Sequence, residues 1–264
     1  MSGAYIPAGE GIWRATELTR GPWDPEHQHA GPPIALVARQ IALAAAALGL
    51  THVARLTANL LRPIPIAELT LAVNTDYAGR NVAHFSASLS SGGKELARFT
   101  ALVQREVEFA LPQGLQGHPL PQAPRPPEQS PEGRFPFASA ERVGYADLVQ
   151  GRVAAGALFR GPCAIWFRLR HPLIEGEVPG PIERVAVAAD SGNGISAILD
   201  FSRYVFVNSD LTVNLLRRPA GEWICIEAQT LLGPAAGGLA EARIYDERGL
   251  IGRSTQSLAV RLRE

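Results

Sequence analysis

Apolar and polar positions alternate with a period of two over much of the first half of the chain. This period predicts β-strands, because successive strand side chains point to opposite faces. The alternating segments are 12–18, 56–60, 69–73, 82–89 and 96–107. The exception is the alanine-rich stretch 34–50, which follows Gly31-Pro32-Pro33. Proline suits the first turn of a helix and Gly49 suits a left-handed cap, so we expect one helix that ends at Leu48.

The second half has the same plan. Alternating segments lie at 165–169, 211–216, 223–230, 239–245 and 251–262. A short helix is predicted from Pro181 to about Gly192, and the segment 195–207 has no counterpart in the first half. A strand, a helix and then a run of antiparallel strands, present twice, predicts an α+β fold in which each sheet wraps around a helix.

An internal repeat supports this division. The segments 55–62 and 210–217 are 155 positions apart and share six of eight residues. The same offset pairs four further identical residues without a gap: Thr75 with Thr230, Ala87 with Ala242, Arg98 with Arg253, and Thr100 with Thr255. Two copies are too few for a solenoid, so we interpret the chain as a tandem duplication. We expect a first domain at 1–110, a Pro-rich surface linker at 111–136 and a second domain at 137–264.

The two copies differ at polar positions. Asp210 and Gln256 of the second copy replace Arg55 and Ala101 of the first. A buried glutamine is costly without partners, so Gln256 suggests a purpose. The second domain is therefore expected to carry the chemistry.

Composition excludes several classes of function. Lys and Arg together number 25, and so do Asp and Glu. The net charge is therefore zero and does not favour binding to nucleic acid. Cys163 and Cys225 are the only cysteines, which offers neither a disulfide framework nor a metal clamp and favours a reducing cytoplasm. We expect no signal peptide, because residues 1–11 hold no basic region followed by an apolar run, and no membrane span, because Arg39 and Gln40 interrupt the apolar stretch.

A duplicated unit of one helix and an antiparallel sheet resembles the double hotdog fold. The residues resemble the type II, TesB-like acyl-CoA thioesterases over nearly the whole chain. The matching features are the helix start Ala30-Gly31-Pro32, the strand end Leu60-Leu61-Arg62-Pro63, Asp210 seven residues before Arg217, Glu227-Ala228-Gln229-Thr230, and Arg253-Ser254-Thr255-Gln256-Ser257. The chain departs from the family at the helix start, where relatives often have two glycines and this chain has one, followed by two prolines.

The resemblance implies a function and a site. The family holds a hydrolytic water with an Asp, a Thr and a Gln, which correspond here to Asp210, Thr230 and Gln256. It implies hydrolysis of an acyl-CoA to a free acid and coenzyme A, with neither a cofactor nor a metal. A thioester needs only an oriented water, a base and donors to its oxyanion. We expect those donors at the helix start, around Gly31, with His29 and Ala30 beside it.

Three alternatives remain open. Asp210 could attack as a nucleophile and form an anhydride instead of activating water. Hydration of an enoyl thioester would need an Asp and a His close together, and the strands of the second copy hold no histidine near Asp210. A module that binds acyl-CoA without catalysis is the third alternative. Exposed edge strands also allow two copies to form a homodimer.

Overall fold

Antiparallel strands make up most of the molecule, which we describe from a computed structural model. The structure describes residues 3–108, 110, 112, 120–135, 142–235 and 237–263.

The first half contains one long helix and six strands among its described residues. The helix is α1 (Gly31–Ala46), and the strands are β1 (Tyr5–Gly9), β2 (Ile12–Ala15), β3 (His52–Leu60), β4 (Glu68–Ala78), β5 (Val82–Ser91) and β6 (Lys94–Gln104).

The described part of the second half contains three short helices and eight strands. The helices are α2 (Tyr145–Leu148), α3 (Pro181–Ala189) and α4 (Gly192–Ile195). The strands are β7 (Glu132–Gly133), β8 (Val149–Gly156), β9 (Cys163–Leu169), β10 (Tyr204–Asn208), β11 (Asp210–Leu215), β12 (Ile224–Leu232), β13 (Gly237–Asp246) and β14 (Gly249–Leu262).

The structure differs from the sequence predictions at the ends of elements and in elements that were not predicted, the strands β1, β7, β8 and β10 and the short helix α2. The strand expected over 12–18 ends at Ala15 and is followed by a 3-10 turn, Glu17–Thr19. Helix α1 ends at Ala46, and Gly49 takes the left-handed conformation three residues later (φ 71°). In the expected linker, Glu132–Gly133 pairs with β8, and the carbonyl of Arg125 accepts a hydrogen bond from Trp166 Nε1 (2.7 Å). The C-terminal part of this segment therefore packs on the second half instead of only joining the halves.

The strands form one continuous sheet, in the order β1-β2-β4-β5-β6-β3-β11-β14-β13-β12-β9-β8-β7, with β10 paired to β14. The two copies of the repeat meet at its centre, where β3 and β11 are antiparallel. Thr57 lies opposite Thr212, its own repeat counterpart, and their hydroxyls are 3.2 Å apart. An approximate twofold axis therefore passes through this pair of threonines.

The helices cover one face of the sheet. Helix α1 packs against α3, and buried side chains of both halves join in one large core. Residues 31–38, the first two turns of α1, are all buried, because only small or apolar side chains such as Ile34, Leu36 and Val37 lie there. Close helix packing brings the N-terminus of α1 to the C-terminal end of α3, which is where the candidate site lies.

Candidate active site

The first turn of α1 lies against the last turn of α3. A Cβ added to Gly31 would be 2.7 Å from the carbonyl oxygen of Val187, which is closer than side chains tolerate. Glycine is therefore required for this approach. Pro32 and Pro33 have no N–H, so Gly31 supplies the only backbone donor among the first three residues of the helix. Ala30 is the N-cap, and its carbonyl accepts the first helical hydrogen bond, from Ile34 (3.1 Å).

His29 is fixed directly in front of this helix. Its Nδ1 lies 3.0 Å from Oδ2 of Asp190, and its ring stacks on Tyr145 with the centroids 3.7 Å apart and the planes 3° from parallel. About an eighth of the side chain, 12%, remains exposed. His29 is therefore an oriented side chain with limited access to solvent.

Asp190 connects the two halves. Its side chain is 3% exposed, at the C-cap of α3. One carboxylate oxygen contacts His29 of the first half, and the other accepts a hydrogen bond from Asn208 Nδ2 (2.9 Å). Its backbone carbonyl accepts a hydrogen bond from Gln256 Nε2 (3.1 Å). These three polar partners of Asp190 thus come from three different parts of the chain.

Thr230 and Gln256 lie in one row across the sheet. Both are paired with Ala240 of β13, so the three side chains share the face that is covered by the helices. Gln256 Oε1 accepts the amide hydrogen of Asn193 (3.0 Å), and the hydroxyl of Thr230 lies 2.7 Å from that of Ser196. Both side chains therefore contact the segment 190–196.

Asp210 lies at a β-bulge. Between Asn208 and Thr212 this strand advances four residues, while its partner β14 advances three, from Leu258 to Thr255. The extra residue re-aims the side chains next to it, as bulges do near active sites. Oδ1 of Asp210 accepts the amide hydrogen of Ser257 (2.6 Å), the neighbour of Gln256.

The structure thus brings most of the sequence candidates to one place. Gln256 contacts Asp190, which contacts His29, which precedes Ala30 and Gly31. Asp210 is linked to this group through its backbone, since Asn208 Nδ2 lies 3.3 Å from its carbonyl oxygen.

Sequence reasoning missed three polar contributors, Asp190, Asn208 and Tyr145. None lies in the repeat, so no comparison of the two copies could single them out. Tyr145 is buried, donates a hydrogen bond to the carbonyl of Val187 (2.9 Å) and contacts the hydroxyl of Ser191 (2.9 Å). Burial raises the pKa of its phenol well above the usual value, so it remains neutral.

Other reactive groups do not contribute to this site. Burial raises the pKa of Cys163 to about 11 and raises that of Cys225 further, which disfavours a thiolate nucleophile. Among the residues described, no group of three or more His, Cys, Asp or Glu side chains could hold a metal ion. A cavity of about 240 Å³ lies instead along β12–β14, lined by residues such as Glu227, Arg243 and Arg253, and none of the candidate residues lines it.

Two family models match the chain. The N-terminal domain of acyl-CoA thioesterases matches residues 19–104, and the C-terminal domain of acyl-CoA thioesterases matches residues 119–260. The chain belongs to the acyl-CoA thioesterase family. It is therefore a thioester hydrolase of the TesB-like type.

Solved structures show the fold of this thioesterase. A protein from Thermobifida fusca described as a thioesterase II has a TM-score of 0.74 and 16% identity, covering 97% of this chain and 95% of that one. A conserved protein with a hot dog fold from Alicyclobacillus acidocaldarius has a TM-score of 0.71 and 14% identity (98% and 95% covered). The acyl-CoA thioesterase II TesB2 of Mycobacterium marinum has a TM-score of 0.64 and 16% identity (98% and 96% covered). The thioesterase therefore has a hotdog fold.

No curated protein matches the thioesterase at a significant level. In the described ranges, none of the helices is long and apolar enough to cross a membrane.

Proposed function

We propose that this thioesterase hydrolyses an acyl-CoA to a free acid and coenzyme A at the junction of α1, α3 and β14. The proposal rests on one observation: side chains from both halves of the chain contact Asp190. His29, next to the Gly31 amide, comes from the first half, while Gln256 comes from the second. Acyl-CoA is the substrate class that the family implies.

The hydrolytic water is held by Asp210, Thr230 and Gln256 in this proposal. Gln256 uses one amide hydrogen on Asp190, so its second N–H remains for a water. The Thr230 hydroxyl can both donate and accept, and Asp210 can take the proton of the water during attack. The bulge at Asp210 and the shared face of Thr230 and Gln256 support this assignment.

The oxyanion forms when water attacks the thioester carbonyl, and the N-terminus of α1 is the donor that we propose for it. The helix dipole favours negative charge there, and Gly31 contributes a backbone N–H, which in this structure donates to Nδ1 of His29 (3.2 Å) and would exchange that acceptor for the oxyanion. His29 and Ala30 complete the substrate-binding surface. No step needs a metal or a redox cofactor, because a thioester is already activated toward water.

The tandem double hotdog architecture belongs to this proposal. The Thr57–Thr212 pair supports a duplicated unit in which each half contributes one part of the continuous sheet and one principal helix. A cytoplasmic location and a homodimer stay predictions.

Hydration of an enoyl thioester is a second candidate that one observation favours. This chemistry needs a carboxylate and a histidine close together, and the strands around Asp210 supply no histidine. The structure supplies such a pair elsewhere, His29 with Asp190, from the two halves. A supporting result would be loss of the conjugated-enoyl absorbance without thiol release.

A thiol-release assay with a panel of saturated and unsaturated acyl-CoAs tests the proposal. We expect release by the wild-type protein and a loss of about 10²–10⁴-fold in kcat for Asp210→Asn, the range for a general base. Asp76→Asn is the matched control, since that exposed carboxylate contacts only Ser86 among described residues and lies in the other half. Unchanged release by Asp210→Asn would reject the assignment of the base.

A single turnover in oxygen-18 water distinguishes direct attack from an anhydride. Direct attack places the label in the free acid alone. Label in the carboxylate of Asp210 would show that the aspartate, not water, attacks the thioester.

A further inference from the structure

The connection between α3 and β11 is longer than its counterpart in the first half, and the extra residues build an aromatic surface. Residues 47–51 connect α1 to β3, whereas residues 190–209 connect α3 to β11. The longer connection forms α4 and β10, and β10 pairs with the end of β14. It also supplies two phenylalanines, Phe201 and Phe206.

Four aromatic side chains, which we call the aromatic cluster, pack together on this surface. Phe201 contacts the rings of Trp23, Phe159 and Phe206, with centroids 5.2, 5.4 and 4.6 Å away. Phe206 is only 2% exposed, whereas the other three residues are partly exposed. The aromatic cluster therefore has a buried base and an outer part in contact with solvent.

The aromatic cluster lies beside the candidate active site. Phe206 is two residues before Asn208 on β10, so the two side chains share one face of the strand at a spacing of about 7 Å. The carbonyl of Phe206 accepts a hydrogen bond from Asn193 Nδ2 (3.4 Å), and the amide of Asn193 donates to Gln256 (3.0 Å). Trp23 lies on the loop that leads to His29. A ligand whose reacting group lies at His29 and Gln256 can therefore extend onto the aromatic cluster.

Three exposed arginines accompany these rings. The guanidinium of Arg263 lies 5.6 Å from the ring centre of Trp23, and its Nε donates to the carbonyl of Phe201 (2.7 Å). The carbonyl of Arg203 accepts the amide hydrogen of Arg263 (2.9 Å), and Arg160 lies in the loop between β8 and β9. Among the described residues, no carboxylate lies within ion-pair distance of these three guanidinium groups. Their charges are thus available to an anionic ligand.

Aromatic rings next to such arginines suit a nucleotide. A base stacks on an aromatic ring, and a guanidinium binds two phosphate oxygens through parallel hydrogen bonds. Coenzyme A carries an adenine and phosphates at the end opposite its thiol. We propose that the aromatic cluster, together with Arg160, Arg203 and Arg263, binds the 3′-phosphorylated adenosine diphosphate part of coenzyme A while the thioester lies at the candidate active site. This inference rests on the function proposed above.

The charges around the aromatic cluster disfavour other occupants. An alkyl chain that covered the rings would also remove the guanidinium groups from water without giving them a partner. An acidic carrier protein would meet two exposed carboxylates at the edge of the patch, those of Asp24 next to Trp23 and Asp200 near Arg203. A nucleotide is small enough to contact only the rings and the arginines.

Adenosine 3′,5′-bisphosphate is the probe for this site, because it carries the base and phosphates without a thioester. We expect calorimetry to show that it binds the wild-type protein, and we expect it to compete with acyl-CoA in the thiol-release assay. Arg203→Gln/Arg263→Gln should weaken its binding by about 10–100-fold, the range for loss of charge-assisted hydrogen bonds. Equal binding of inorganic phosphate would show a bare anion site and overturn the role of the rings.

Arg261→Gln is the matched control for the double variant. Arg261 is also exposed and lies between the same two segments, but it pairs with Val205 and so points to the face of the sheet opposite Phe206. We expect it to bind the bisphosphate as the wild-type protein does. A loss equal to that of the double variant would show a general effect of charge and reject the site.

A pair of substrates that differ only in the nucleotide tests the consequence for catalysis. An acyl-CoA is compared with the acyl-pantetheine of the same acyl group. We expect Arg203→Gln/Arg263→Gln and Trp23→Leu to raise KM for the acyl-CoA at least about tenfold with little change in kcat, and to leave KM for the acyl-pantetheine unchanged. Equal losses with both substrates, an altered preference for acyl chain length, or faster release from an acyl carrier protein would each overturn the proposal.

The nucleotide site and the proposed function fail differently. A wild-type protein that releases no thiol from any acyl-CoA would reject the function, while calorimetry with the bisphosphate would still decide whether the nucleotide binds. Normal release of thiol without binding of the bisphosphate would reject the nucleotide site alone.

Discussion

Two arginines at equivalent places in the repeat show how a residue acquires its role from its surroundings. Arg62 and Arg217 both end the repeated octet. Arg62 is exposed and donates to a backbone carbonyl, that of Glu95 (2.6 Å). Arg217 instead makes a two-point contact with the buried carboxylate of Asp246, at 2.5 and 2.6 Å. The two arginines therefore differ in their contacts: Arg217 binds a buried carboxylate, whereas Arg62 binds a backbone carbonyl.

We expect Arg217→Met to destabilise the protein by about 3–5 kcal/mol, because it leaves the Asp246 charge buried without its partner. Arg62→Met should cost less than about 1 kcal/mol, as is usual for an exposed polar contact. Urea unfolding of the two variants measures the difference. Equal losses would show that the buried ion pair contributes nothing specific.

The same pair predicts a dependence of stability on pH. Burial raises the pKa of Asp246, but Arg217 and the amides of Ala220 and Arg248 outweigh it and lower the pKa below the ordinary 3.8. A lowered pKa in the folded state adds stability that is present above pH 3.8 and is lost as the pH falls through the folded value. The free energy of unfolding should therefore fall below pH 3.8, and less steeply in Arg217→Met. Parallel pH profiles for the two proteins would contradict this account.

At the scale of elements, the site depends on how helix ends and a strand irregularity meet. The start of α1 reaches α3 only because Gly31 has no side chain. The bulge at Asp210 exists because β10 and β11 pair with β14 in registers that differ by one residue. Neither element would form a site alone, since each supplies only part of the polar groups.

Gly31→Ala should separate α1 from α3 by a few tenths of an ångström or more, because the new Cβ would lie 2.7 Å from the carbonyl oxygen of Val187. We expect a loss of about 1–3 kcal/mol in stability, as for overpacking, and a larger relative loss in thiol release. Calorimetry and the thiol assay measure these effects. Gly194→Ala is the control for stability, since its added Cβ would meet nothing within 4 Å.

At the scale of the whole molecule, the two halves share both a sheet and a core. Strands β3 and β11 pair across the approximate twofold axis, and α1 packs on α3. Leu56 and Val213 face each other at this seam and are both buried. The halves therefore resemble one cooperative unit more than two independent domains.

We expect thermal unfolding in a single transition, because separating the halves would expose the seam and the helix interface together. Leu56→Ala, with a cost of about 2–5 kcal/mol, should lower the protection of amides in both halves from hydrogen exchange. Two calorimetric transitions, or loss of protection in the first half alone, would show that the halves unfold independently.

The sequence predicted the fold through its periodicities and its repeat. Alternation located the four strands that follow α1, and the 155-residue offset identified strands that turn out to be partners at the axis. It did not predict β1, β8 and β10 as strands. Nor did it show that Glu132–Gly133 pairs with β8, because a two-residue strand has no period to detect. Several elements also end a few residues away from their predicted ends, as β2 and α1 do.

Candidate site residues were predicted where the two copies differ, at the start of the first helix, and from the resemblance to the family. Gln256 stands out against Ala101, and the glycine and prolines mark the helix start. Asp190, Asn208 and Tyr145 carry no such mark, because they lie outside the repeat and reach His29 only through the packing of α1 on α3. Local patterns thus determined which segments become strands and helices, since those depend on neighbours along the chain. Only the tertiary structure decided which nitrogen of His29 faces a carboxylate, since that depends on atoms more than a hundred residues apart.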